Sequence, residues 1–218
     1  MLPRILEPEV MDTPEEARDY NNMDHSQVNT VFVNDLIQAG FAGGDVLDLG
    51  TGTALIPIEI VKRGLDCRIM AADAAIAMLE RARLNVEIAG MSRVIQLSHC
   101  DAKAMPYATG MFQWVISNSI VHHIPEPIHV LREAWRVTCS GGKLFFRDLL
   151  RPDSTTQLRG LVDTYARDCN GHQRQMFEDS LHAALTLDEV REMAAEFGCP
   201  AESVTATSDR HWTWIAMK

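Results

Sequence analysis

The feature that most constrains this chain is the run Asp45–Val46–Leu47–Asp48–Leu49–Gly50, a short apolar strand ending in glycine and followed at once by a helical stretch over about 54–63. The pattern recurs. Residues 67–71 read as a second strand, 74–89 as a helix and 94–97 as a third strand. Residues 112–117 give a fourth strand, 127–137 a helix, and 143–149 a fifth strand after the Gly141–Gly142 turn. Strands that alternate with helices imply crossover connections and a parallel sheet. At the carboxyl end, the strand-like runs 203–207 and 212–217 are separated by Ser208–Asp209–Arg210, too short for a helical crossover, so they pair antiparallel.

The expected fold is therefore α/β: a seven-stranded, mostly parallel sheet with helices on both faces and an antiparallel carboxy-terminal hairpin strand, a three-layer αβα sandwich. At 218 residues, with 46% hydrophobic and 23% charged residues, one soluble domain is expected. It divides into a helical cap over 1–42, a core over 43–150, a helical region over 151–185 that serves as a lid or substrate region, and a final helix and hairpin over 186–218. The last helix opens on the capping-box spacing Thr186 to Glu189 and stops at Gly198.

No apolar run approaches a bilayer-spanning length, and residues 1–10 lack the basic-then-apolar order of a secretion signal. Cys67, Cys100, Cys139, Cys169 and Cys199 are scattered, odd in number and without a CxxC pair, which points away from a disulfide framework or zinc knuckle and toward a reducing cytoplasm. A net charge of −10 opposes binding to a phosphate backbone, so nucleic-acid partners are not expected. A monomer or homodimer acting on a small molecule fits these properties.

Glycines at a strand-to-helix turn let a ligand approach the backbone closely. A dinucleotide site wants a third glycine three positions after Gly52, where this chain has Leu55, and an acid such as Asp48 is unusual in its first strand. The segment from Asp48 to Ala54 instead resembles the first motif of class I S-adenosylmethionine-dependent methyltransferases, an acid-x-Gly-x-Gly loop, with Ala54 where many members have a third glycine. The resemblance continues at Asp73 after the second strand, at Asp101 after the third, and at Ser117–Asn118–Ser119 closing the fourth, and it covers roughly 45–150.

It implies S-adenosylmethionine as cofactor, with Asp48, Gly50, Thr51 and Gly52 shaping the methionine pocket, Asp73 and Ala74 at the ribose, Asp101 and Ala102 at the adenine, and Asn118 beside the transferred methyl. Asn118–Ser119–Ile120–Val121 departs from the Asn/Asp-Pro-Pro-aromatic segment of base and glutamine methylases, which points to small metabolites. In similar methyltransferases the region of Tyr20, Asn21, Asn22, Met23 and His25 folds over the cofactor as a lid. The alternatives are a regulatory protein that binds the cofactor without transfer, and a nicotinamide-dependent oxidoreductase.

His122 or His123 can serve as a general base on the acceptor, against the plainer reading of a helix cap and a solvated ring. A metal site from His122, His123 and His129 needs a carboxylate or thiolate from elsewhere in the chain, so no metal is expected. Arg147, Arg151 and Arg210, with His211, are candidates for a pocket for an anionic substrate group, against ion pairs with Asp148, Asp153 and Asp209. Trp212 and Trp214 share one face of the last strand and are expected to pack in the core.

Overall fold

A computed structural model describes residues 2–7, 10, 12–23 and 26–218. Its elements in chain order are α1 Pro14–Asn22, α2 Ser26–Gln38, β1 Gly44–Leu49, α3 Leu55–Lys62, β2 Cys67–Asp73, α4 Ile76–Ile88, β3 Ile95–His99, β4 Phe112–Asn118, α5 Pro127–Val137, β5 Thr138–Leu149, α6 Thr155–Tyr165, α7 Gly171–Ala183, α8 Leu187–Ala195, β6 Val204–Ala206 and β7 His211–Met217. The sheet has seven strands in the order β3-β2-β1-β4-β5-β7-β6. β1 pairs parallel with both β2 and β4, β2 parallel with β3, and β6 antiparallel with β7. The α/β class and the antiparallel hairpin are as the sequence predicts.

The chain groups into two compact units, each with its own core. One comprises Val10–Asn118, His129–Phe145 and Ile215–Lys218. Its core joins Phe32, Val33 and Leu36 of α2 to Val46, Ile69, Ile95, Trp114 and Ile116 of the strands and to Ile58 and Ile60 of α3. Phe32 meets Phe145 edge-on at 5.1 Å, and Phe41 meets Trp114 at 5.4 Å. Such edge-to-face pairs contribute beyond their buried area. β1 is buried from Val46 to Leu49 because crossover helices cover a parallel strand. Its strand order reverses at β1, which is flanked by β2 and β4, and a doubly wound sheet opens a crevice for ligands at such a point.

The other unit comprises Met1–Glu9, Ser119–Ile128 and Phe146–Trp214. Leu158, Leu161 and Val162 of α6 pack with Leu181 and Ala184 at the end of α7. Trp212 and Trp214 are fully buried, the latter against Phe146 and Phe197, as their shared face predicts.

Two segments differ in detail from the sequence reading. Residues 155–180 form two helices, because Ala166 closes α6 while Asn170 caps α7 in a reciprocal capping box with Gln173. The Gly141–Gly142 pair lies inside β5 instead of preceding it: Gly141 N donates to Lys218 O, and Lys218 N donates to Gly142 O. A Cβ on Gly142 would stand 2.9 Å from the carbonyl oxygens of Cys139 and Gln113, so only glycine fits.

Candidate active site

The loop after β1 is shaped by three left-handed residues, Gly50 (φ 67), Gly52 (φ 54) and Ala54 (φ 62). For Ala54 this conformation carries a steric cost of about 1–2 kcal/mol, and such strain concentrates at functional sites. Gly50 N and Thr51 N both donate to Ala72 O, tying the loop to β2. Asp73 braces it further: its Oδ2 accepts from Gly52 N at 2.7 Å and its Oδ1 from Ala75 N at 2.8 Å. Burial pushes the Asp73 carboxyl up, opposed by these backbone donors. A carboxylate offers about four lone-pair positions, so two bound amides leave room for a ligand's hydroxyls.

Asp48, on β1, is 2% exposed. Burial pushes its pKa up to about 7, with the Thr51 hydroxyl pulling the other way and Asp73 adding to the rise. Together with Tyr20, Asn29, Gly50, Thr51, Thr53, Leu55, Ile56 and Asn118 it lines a small cleft of about 320 Å³, counted to its open mouth. Asp48 Oδ2, Thr53 Oγ1 and Asn118 Oδ1 are buried there with no hydrogen-bond partner among the described residues. Orphaned acceptors and hydroxyls cost free energy unless a ligand or water meets them. This polar lining fits the amino-acid end of S-adenosylmethionine.

Tyr20 of α1 lies over the loop, its Cε1 3.6 Å from where a Gly52 Cβ would stand. Burial, then Asp73 and Asp48, push its phenol up to about 12. Asn21 Oδ1 accepts from Asn85 Nδ2, which also donates to Thr53 O. Tyr20 and Asn21 of the expected lid thus reach the loop; His25 falls outside the described residues. Thr53 and Asn29 were missed by the sequence reading, although Thr53 sits inside the recognised loop.

Asp101 is not in this cleft. It is exposed beyond β3, where its Oδ1 accepts from Lys103 N and lies 3.2 Å from Lys103 Nζ. Ala102 does not line the cleft either, and Ala74 O meets His99 Nε2 at 3.0 Å.

In the other unit the two histidines are brought together, ring centroids 4.1 Å apart, in the short 3-10 turn over Val121–His123. His122 is 3% exposed, and its Nδ1 is 2.5 Å from Asp148 Oδ1 at the end of β5. Asp148 Oδ2 also accepts from Val121 N, and its Oδ1 from Leu149 N. Glu7 Oε1 stands 3.3 Å from His122 Nε2 and 3.2 Å from His123 Nδ1. With both ring nitrogens of His122 facing carboxylates, its ring is raised toward the protonated form by Asp148 and then Glu7, against the lowering effect of burial, which is the largest single influence.

The arginines separate. Arg151 Nη2 donates to Glu189 Oε1 at 2.6 Å, a partner the sequence reading did not consider, and Arg147 Nε donates to Thr213 Oγ1. Arg210 stacks on the Tyr165 ring at 3.3 Å beside Asp209. His211 is lowered to about 4 by burial first, then by Arg210 and Arg147. Arg147, Arg210 and His211 thus share one electrostatic neighbourhood, and Arg151 is held elsewhere.

Residues 47–146 match the methyltransferase domain family. That stretch is similar to a methyltransferase domain. The chain is 33% identical over 118 residues to a ubiquinone biosynthesis O-methyltransferase from a Ruegeria species, an alignment covering 54% of this chain and 46% of that protein. It is 34% identical over 114 residues to a malonyl-[acyl-carrier protein] O-methyltransferase from Legionella pneumophila, covering 52% and 39%. The chain thus spans less than half of either relative. A structure from Methanococcus maripaludis, assigned as an S-adenosyl-L-methionine-dependent methyltransferase, superposes with a TM-score of 0.76 at 18% identity, covering 98% of this chain and 97% of that one. The matched stretch begins within β1 and ends within β5, and it contains the glycine loop, Asp73 and Asn118.

Proposed function

We propose that this protein transfers the methyl group of S-adenosylmethionine to a small-molecule acceptor by in-line displacement, as one methyltransferase domain acting in the cytoplasm. The observation that carries the reading is the cleft at the β1–β4 reversal, where Asp48, Thr53 and Asn118 present buried polar atoms that lack partners among the described residues, around a glycine loop braced by Asp73. When bound, the cofactor supplies the activated methyl. The chain's own part is to hold and orient it: loop amides and Asp48 at the amino-acid end, Asp73 at the ribose, Tyr20 as a cover excluding water, and alignment of the acceptor. Asp101 and Ala102 remain our assignment for the adenine, with Asp101 released from Lys103 on binding.

An oxygen acceptor is favoured by both O-methyltransferase relatives. An anionic group on that acceptor is supported by Arg147 and Arg210, whose charges together depress His211. Leu55 argues against a nicotinamide dinucleotide: it opens α3 and lines the cleft where a pyrophosphate requires bare backbone.

The test is calorimetric titration with S-adenosylmethionine, S-adenosylhomocysteine and NAD. Micromolar binding of the adenosyl ligands, weakened in Asp73→Ala, is expected. Binding of NAD alone, or of nothing, overturns the reading. Binding of the adenosyl ligands without turnover across an acceptor screen would leave a regulatory protein instead.

A further inference from the structure

Glu7, His122 and His123 bring three potential ligand atoms, Oε1, Nε2 and Nδ1, within 4.8 Å of one another. Glu7 Oε1 is 3.3 Å from one ring nitrogen and 3.2 Å from the other. A charge-assisted hydrogen bond draws such atoms to about 2.7–2.9 Å. Ligand atoms on a tetrahedral ion with bonds of about 2.0–2.1 Å instead stand about 3.3–3.4 Å apart. The two separations from the carboxylate to the imidazoles match the edge of that tetrahedron.

The surroundings fit the same purpose. With Asp148 Oδ1 accepting from His122 Nδ1 at 2.5 Å, the neutral ring that a metal would bind presents its Nε2 lone pair toward Glu7. A carboxylate behind a histidine is the usual outer support of a metal-binding imidazole. Asp148 is itself locked by the Val121 and Leu149 amides. Ser180 Oγ donates to the other Glu7 oxygen, Oε2, at 3.3 Å, leaving Oε1 buried and without a hydrogen bond among the described residues. Glu7 is held in register because Ile5 N donates to His182 O and Arg4 donates to carbonyls in the turn. One divalent ion between Glu7 Oε1 and the two ring nitrogens would meet all three atoms at once, in the place a proton on His122 Nε2 otherwise fills.

We propose that Glu7, His122 and His123 form a binding site for a divalent cation of the borderline class that imidazole selects, Zn²⁺ foremost, with a fourth position open to water or a substrate oxygen. The carboxylate that the adjacent histidines lack locally comes from the amino-terminal segment, 115 residues before His122 (122 − 7).

The test uses the full chain, freed of metal by chelation, titrated with Co²⁺ followed by visible absorption and with Zn²⁺ followed by calorimetry. One equivalent of Co²⁺ with an intense tetrahedral spectrum is expected, displaced by Zn²⁺. Glu7→Gln and His123→Ala each weaken Zn²⁺ binding about tenfold or more. Titration of S-adenosylhomocysteine into the metal-free protein and both variants reports whether they are folded and tests the methyltransferase reading separately. A Co²⁺ spectrum that stays octahedral, or Zn²⁺ affinity unchanged in both folded variants, overturns the site and leaves that reading untouched.

Discussion

The glycine loop and the histidine turn are each built around a carboxylate drawn out of solvent, Asp73 half-buried and Asp148 fully so, yet they satisfy it in opposite ways. Asp73 spends its oxygens on the amides of Gly52 and Ala75, neutral donors from its own neighbourhood, so it stiffens a loop. Asp148 faces an imidazole as well as two amides, so it fixes the orientation of another side chain. The first arrangement is a scaffold for a ligand, and the second is a charge relay between chain segments far apart in sequence. A loop of contiguous residues leaves a motif, whereas a cluster assembled from residues 7, 122, 123, 148 and 180 leaves none.

The sharpest way to break the comparison is at Asp148. Asp148→Ala removes a fully buried charge facing His122 and strands the Val121 and Leu149 amides, so a loss of about 3–5 kcal/mol in urea-unfolding stability is expected. A loss under about 1 kcal/mol would mean that the turn is not held by this carboxylate. Asp73→Ala comes next. It deletes two charge-assisted bonds to the loop, each of about 1.5–3 kcal/mol, and should weaken S-adenosylhomocysteine binding at least tenfold in calorimetry. Equal affinity would show that the loop holds its shape unaided.

Asp48 distinguishes the units by pH. Its folded pKa of about 7 lies above the ordinary carboxyl value of 3.8, under burial and facing Asp73 on β2 and Tyr20 on α1. Between roughly pH 4 and 7 the unfolded chain therefore loses a proton that the folded one keeps, and this residue makes stability fall as pH rises, by at most about 1.4 kcal/mol per unit. Above pH 7 the contribution is constant. Asp48→Asn should remove that slope from unfolding curves recorded across the window; an unaltered slope refutes the assignment. The smallest effect is at Gly52→Ala. A Cβ there is in ordinary contact with Tyr20 at 3.6 Å, so only the left-handed backbone resists, at about 1–2 kcal/mol, measurable as a lowered denaturant midpoint. A much larger loss would place Tyr20 tighter on the loop than this geometry has it.

What could be read in advance follows from the same contrast. Glycine after an apolar strand, repeated with helices between, determines a parallel sheet because its crossovers admit few alternatives, and β1, β2 and β4 lie within a residue or two of their predicted places. Asp48, Gly52, Asp73 and Asn118 were legible because their spacing is local or follows strand ends. The division of α6 from α7 was missed although it was marked, by the Asn170–Gly171 dipeptide and by the capping pair Asn170 and Gln173. The partnership of His122 with Asp148 was accessible in principle, since His122 follows the end of β4 and Asp148 lies in the last residues of β5, its neighbour in the sheet. Glu7 and the Arg151–Glu189 pair were not, since nothing in a segment's own pattern tells which distant side chain will meet it.

Arg4 gives the amino-terminal segment a mechanical character. Its guanidinium donates to the carbonyls of Ala183, His122, Ile124 and Pro125, so one side chain buckles the end of a helix to the turn that carries both imidazoles. When such a buckle lets go, four acceptors lose their donor together, and the strap carrying Glu7 is left tied by Ile5 N to His182 O and by Ser180 Oγ to Glu7 Oε2.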